Sequence, residues 1–84
     1  MLITYRRKRF RLVFTFNYTL YSIVTNILDE FCCSYLGDKK IIHGNKGKRL
    51  IEINCAIEPS LFEEFLEILG KQTKEYDVRL YYEC

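Results

Sequence analysis

The chain has 84 residues and 10.1 kDa, is 49% hydrophobic with seven Tyr, six Phe and one Pro, and is too short for two cores. That composition excludes a disordered tail, a collagen-like repeat and a coiled coil. The net charge of +2 conceals an uneven distribution: residues 1–50 hold ten Lys/Arg against three Asp/Glu, net +7, and residues 51–84 hold three against eight, net −5. Such polarity points to an anionic partner or to head-to-tail association of unlike faces.

Taken in chain order, Phe10, Leu12, Phe14 and Phe16 alternate with Arg9, Arg11, Val13 and Thr15, which predicts a strand with one buried face. From Asn17 the period lengthens. Leu20, Ile23, Val24, Ile27, Leu28, Phe31 and Tyr35 fall at helical spacing, predicting a long first helix closed by a cap at Gly37. Residues Asp38 to His43 read as a short second strand, and Gly44-Asn45-Lys46-Gly47 as a turn. Leu50 to Ile57 reads as a third strand with Ile51, Ile53, Cys55 and Ile57 on one side. Pro59 suits a first helical turn, Ser60-Leu61-Phe62-Glu63 fits a capping box, and Phe62, Phe65, Leu66 and Leu69 form a stripe ending at Gly70. Residues Tyr76 to Cys84 alternate once more. The order is β-α-β-β-α-β, which predicts one α+β domain over residues 1–84 with a ferredoxin-like fold: a four-stranded antiparallel sheet with two helices on one face. Residues 1–8 extend the first strand or form a basic arm.

The four cysteines, Cys32, Cys33, Cys55 and Cys84, show no paired metal spacing, and His43 is the only histidine. Free thiols are expected, with Cys32 on the apolar side of the first helix and Cys55 in the core. That usage suits a reducing, cytoplasmic location. Arg6 to Arg9 before the apolar Phe10–Val24 resembles the start of a signal peptide. However, Arg11, Thr15, Asn17, Thr19 and Ser22 interrupt the stretch and no cleavage site follows. No stretch matches a membrane span, and no cofactor or metal is expected.

A ferredoxin-like sheet raises the question of RNA binding through aromatics on its open face. By parity that face carries Arg9, Arg11, Val13 and Thr15, then Lys48, Leu50, Glu52 and Asn54, then Asp77, Arg79, Tyr81 and Glu83. Only Tyr81 is aromatic, so the paired stacking platform of RNA-recognition motifs is absent. Two basic clusters, Arg6, Arg7, Lys8, Arg9 and Arg11, and Lys39, Lys40, His43, Lys46, Lys48 and Arg49, have the density to neutralise phosphates. In the expected topology they lie at opposite ends of the sheet.

The loop Gly44 to Lys48 lacks the spacing, the Ser/Thr and the following helix of a phosphate loop, and it joins strands where a KH loop joins helices. In element order and length the chain is similar to the small CRISPR adaptation nucleases and the acylphosphatases. The acidic residue that the nucleases carry at the end of the first strand is Asn17 here, and the acylphosphatase glycine–arginine loop is missing.

The expected function is therefore a small non-catalytic protein–protein interaction module, self-associating as a homodimer. An accessory protein of a virus, mobile element or A/T-rich microbe fits its codon-biased composition. Its expected interface residues are Tyr81, Arg79, Glu63, Glu64 and Glu67. The alternatives are a nucleic-acid-binding domain using the basic clusters and, third, a small metal-dependent nuclease.

Overall fold

The computed structural model describes residues 7–82. Its elements are β1 (Lys8–Thr15), α1 (Tyr18–Glu30), β2 (Ser34–Tyr35), β3 (Lys40–His43), β4 (Arg49–Ile57), α2 (Phe62–Gln72) and β5 (Val78–Tyr82). Single 3-10 turns precede β4 at Asn45–Gly47 and α2 at Pro59–Leu61.

β1 sits between β4 and β5 and is antiparallel to both, with Leu12 opposite Ile53 on one side and Leu80 on the other. β2 and β3 share the far edge of β4: Ser34 lies opposite Ala56, and Lys40 opposite Glu52. They are two pieces of one interrupted strand, so the sheet order matches the ferredoxin-like arrangement read from the sequence. The expected four strands become five because the second breaks between Tyr35 and Lys40. Gly37, inside that break, has φ +90°, a conformation that glycine adopts without a Cβ penalty.

Alternation in the strands decides where the core lies. Phe10, Leu12 and Phe14 of β1 and Ile51, Ile53, Cys55 and Ile57 of β4 all point to one face and are buried. Leu20, Val24, Ile27 and Leu28 of α1 pack there, as do Phe62, Phe65 and Leu69 of α2. Both helices therefore cover a single face of the sheet. Phe65 is the aromatic centre of that layer, with ring centroids 5.0 Å from Phe10 and 5.6 Å from Phe31.

Three local expectations need correction. The first helix ends at Glu30 and not at Gly37. Cys32 takes the left-handed conformation (φ 51°), its N–H donates to the Asp29 carbonyl (3.1 Å), and the Cys33 N–H donates to the Leu28 carbonyl (2.9 Å). This is a Schellman stop, which satisfies the carbonyls that the last turn leaves unpaired. Tyr35, which shares the helical spacing, belongs instead to β2. Cys32 consequently lies exposed in the stop and not on an apolar helix face.

The second helix begins at Phe62, one residue later than the capping box implies. Residues Pro59–Leu61 form the 3-10 turn, Ser60 Oγ donates to Glu58 Oε1 (3.2 Å), and no side chain caps the helix. Its C-terminus passes Gly70 to Gln72, where the buried Thr73 hydroxyl donates to the Leu69 carbonyl (2.6 Å). Within its predicted stripe Leu66 is 37% exposed, whereas Phe62, Phe65 and Leu69 are buried.

Candidate functional site

The helices leave the opposite face of the sheet open, and the strand register fixes which side chains share it. Cross-strand neighbours lie on one face, so the pairing defines rows. One row reads Leu36–Asn54–Arg11–Tyr81: Arg11 lies opposite both Asn54 and Tyr81, and the Leu36 N–H donates to the Asn54 carbonyl (2.7 Å). The row before it holds Ser34, Ala56 and Arg9. The row after it holds Lys40, Glu52, Val13 and Arg79, and beyond that stand Ile42, Leu50 and Thr15.

Arg11 is the organising residue of this face. Its guanidinium stands over the Tyr81 ring at 4.8 Å and Nη1 lies 3.4 Å from Glu52 Oε1. A partly exposed contact of this kind contributes about 0.5–1 kcal/mol and, more usefully, holds the side chain in one orientation. Arg9, one row away, makes no ion pair or hydrogen bond with any described residue and is exposed. Arg79 pairs at 3.7 Å with Asp77, and both are exposed. Around the Leu36–Tyr81 row runs a groove of about 410 Å³ lined by Arg9, Phe10, Arg11, Leu36, Asn54, Tyr81 and Tyr82. Leu36 is 39% exposed and Tyr81 45% exposed, giving the groove apolar surfaces on the two outer strands.

The two basic clusters do not merge. Lys8 pairs with Ile57 and Arg49 starts the same strand, so they lie eight residues apart along β4, roughly 26 Å at about 3.3 Å per residue. Within the first cluster Arg7 and Lys8, like Arg11, are engaged by the fold. Arg7 Nη1 donates to Ser34 Oγ and Nη2 to the Cys32 carbonyl, both at 2.8 Å, tying the start of β1 to the Schellman stop. Lys8 points to the helix side, with Nζ 5.1 Å from the Phe62 ring centroid and 4.8 Å from that of Tyr82. Arg6 lies outside the described residues. In the second cluster Lys46, Lys48 and Arg49 are exposed around the hairpin, where the Gly44 N–H donates to the Lys48 carbonyl (2.7 Å).

The expected interface set is likewise divided. Tyr81 and Arg79 stand on the open sheet face, while Glu63, Glu64 and Glu67 are exposed on α2, on the opposite side of the molecule. Glu63 and Glu64 occupy the first helical turn, where a negative charge complements the helix dipole, and Glu67 pairs with Lys71 at 3.2 Å. The two layers differ in charge without following the +7/−5 halves of the chain, since Asp29 and Glu30 come from the first half and Glu52 and Arg79 from the second. Arg9, Arg11, Lys40 and Arg79 mark the sheet face, and Asp29, Glu30, Glu63, Glu64 and Glu67 the helix layer.

Sequence reasoning missed Leu36, which it assigned to the helix, and counted Lys39 only within the second basic cluster. The Lys39 ammonium donates to the Tyr21 hydroxyl and lies 4.9 Å from the ring centroids of both Tyr21 and Tyr35. That hydrogen bond raises the Lys39 pKa and keeps it cationic, while burial raises the Tyr35 phenol against the pull of Lys39. Burial also pushes the Cys33 thiol up to about 11 and the Cys55 thiol to about 12. Among the described residues no group of three or more His, Cys, Asp or Glu is arranged to hold a metal ion, and no helix is long and apolar enough to cross a membrane.

No protein-family model matches the chain, and no curated protein matches it by sequence. Solved structures do match. A protein of unknown function from Galdieria sulphuraria superposes with a TM-score of 0.69 at 14% identity, covering 100% of this chain and 54% of its own. A formyltetrahydrofolate deformylase from Burkholderia mallei ATCC 23344 gives 0.68 at 8% identity, over 94% of this chain and 28% of its own. CPII, a nitrogen regulatory PII-like protein from Thiomonas intermedia K12 bound to ADP, AMP and bicarbonate, gives 0.65 at 17% identity, over 92% of this chain and 87% of its own. The chain spans about half of the first protein and under a third of the second. At these identities the likeness is one of fold.

Proposed function

We propose that this protein is a small non-catalytic regulatory module that works by binding an anionic partner on the open face of its sheet. The observation that carries the reading is the groove across the Leu36–Asn54–Arg11–Tyr81 row, where among the described residues Arg9 at its side has no ion-pair partner and no carboxylate lines the groove. Apolar walls with a few placed polar groups are the usual make-up of a ligand site. The Thiomonas protein of like fold is a nitrogen regulatory protein and holds ADP, AMP and bicarbonate, all anions.

Two of the thiols are not poised as nucleophiles. Cys33 and Cys55, with pKa values of about 11 and 12, are neutral at pH 7, and it is the thiolate that attacks. The described cysteines carry free thiols, which supports a reducing location such as the cytoplasm.

The test is thermal stabilisation by a panel of small anions and their neutral analogues. The reading expects stabilisation that is lost in Arg11→Glu/Arg79→Glu and kept in the helix-face control Glu64→Gln. Turnover of a ligand, or the opposite pattern of loss, contradicts it.

A second reading rests on the opposed charge of the two layers: the acidic α2 surface of one copy docks on the basic sheet face of the next. Such a heterologous contact forms rings or open chains. Light scattering then finds a mass above 10.1 kDa that falls with added salt and with Glu63→Lys/Glu67→Lys. A monomer at every ionic strength excludes it.

A further inference from the structure

We infer that the groove across the Leu36–Asn54–Arg11–Tyr81 row is a site for a small anion carried on a planar ring, the chemistry shared by aryl carboxylates and nucleoside monophosphates. The inference rests on the proposed reading of the open face and names its ligand class.

Size comes first. The groove is about 410 Å³, within the roughly 300–1,000 Å³ of small-molecule sites and far more than a bare phosphate fills. Its length follows from the sheet: Leu36 and Tyr81 are on strands three spacings apart, about 14 Å at about 4.8 Å per strand. A single ring with a short charged arm fits within that length.

Chemistry comes second. Among the described residues the lining offers two guanidinium groups, one carboxamide and the Tyr81 phenol, and no carboxylate, while the Tyr82 ring packs on Phe62 at the helix side. The nearest acid, Glu52, is already against Arg11, which leaves Arg9 as the cation with no partner among the described residues. A carboxylate or phosphate oxygen matches the fork of Arg9, with the Asn54 amide one row away as a further donor. The third element is the ring seat. Tyr81 has Arg11 over its ring and is still 45% exposed, and Leu36 at the other end is 39% exposed. A planar ring covers one of those apolar surfaces, and the stacked Arg11 adds a cationic plane beside Tyr81. Arg11 is already oriented by Tyr81 and Glu52, so little side-chain freedom is lost on binding.

Calorimetric titration with four probes tests this: AMP, benzoate, adenosine and inorganic phosphate. The inference expects AMP or benzoate to bind at least about tenfold more tightly than adenosine, which lacks the charge, and phosphate, which lacks the ring. Whichever of the two binds better identifies the source of the shared chemistry. Arg9→Gln and Tyr81→Leu, both at exposed positions, each weaken that ligand about tenfold, and Lys71→Gln on α2 leaves it unchanged. Circular dichroism confirms that the variants are folded. Equal affinity for phosphate and the ring anions, indifference to Arg9→Gln, or no binding of either ring anion at about 10 mM overturns the inference. The last result leaves the proposed function standing if another anion stabilises the protein and that effect is lost in Arg11→Glu/Arg79→Glu. Loss of binding through Lys71→Gln alone overturns both.

Discussion

Phe65 and Leu66 are neighbours in one predicted apolar stripe, and the structure separates them sharply. Phe65 is fully buried, with ring centroids 5.0, 5.6 and 6.4 Å from Phe10, Phe31 and Phe62, whereas Leu66 is 37% exposed. Truncating a buried Phe to Ala costs about 3–5 kcal/mol through lost transfer energy and the cavity left behind. A chain of 84 residues at about 0.05–0.15 kcal/mol per residue is stable by roughly 4–12 kcal/mol, so Phe65→Ala removes a large share of the total. Leu66→Ala removes partly solvated surface and costs under about 1 kcal/mol. Urea unfolding followed by circular dichroism measures both. With a slope of about 1 kcal/mol per molar, the Phe65→Ala midpoint falls by about 3 M or the protein is unfolded without urea, and Leu66→Ala shifts by less than about 1 M. Phe65→Leu, which keeps most of the volume, gives an intermediate and measurable loss if the alanine variant does not fold. Equal costs at the two positions would refute the helix orientation, and with it the assignment of the open face.

Four further outcomes are expected. Asn17 Oδ1 accepts from the Leu20 N–H at 3.1 Å, so Asn17→Ala costs about 1 kcal/mol in the same unfolding assay. Cys32 stands at the left-handed stop position that glycine fills without strain, so Cys32→Gly stabilises the protein by about 0.5–1 kcal/mol. In a Cys84→Ser background, a thiol reagent at pH 8 modifies the exposed Cys32 quickly, the half-buried Cys33 more slowly, and Cys55 only as unfolding exposes it. The raised thiol pKa values also set a pH dependence: above pH 9 the unfolded thiols ionise while the folded ones hold their protons to about 11 and 12. Stability is therefore fully present below pH 9 and falls as the pH rises through that window, which unfolding at pH 8, 9.5 and 10.5 measures.

The strands were legible because their side chains obey a strict period of two. Phe10, Leu12 and Phe14 against Arg9, Arg11 and Val13 dictate both which face is buried and which residues are left outside. Arg11, Asn54 and Tyr81 were thus placed on the open face by parity alone. The break in the second strand was not legible, since Phe31 and Tyr35 keep the i, i+4 spacing of a helix that has already stopped. What stops it is backbone bonding at Cys32 and Cys33 together with pairing of Tyr35 to Cys55, neither of which leaves a mark in local composition. Losing that break also lost Leu36, and with it one wall of the groove. The basic run Arg7 to Arg9 shows the other limit. Charge density is visible in the sequence, but Arg7 is bonded to the Cys32 carbonyl, Lys8 is folded over aromatic rings and Arg9 has no ion pair or hydrogen bond among the described residues, and only three-dimensional contacts distinguish them.

The open sheet face as the binding surface is tested most directly by mapping amide chemical shifts of the isotope-labelled protein during titration with AMP or benzoate. The largest changes are predicted at Arg9, Arg11, Leu36, Asn54 and Tyr81, with those in α1 and α2 small. Changes centred on α2, or on the hairpin around Lys46 and Lys48, would contradict it.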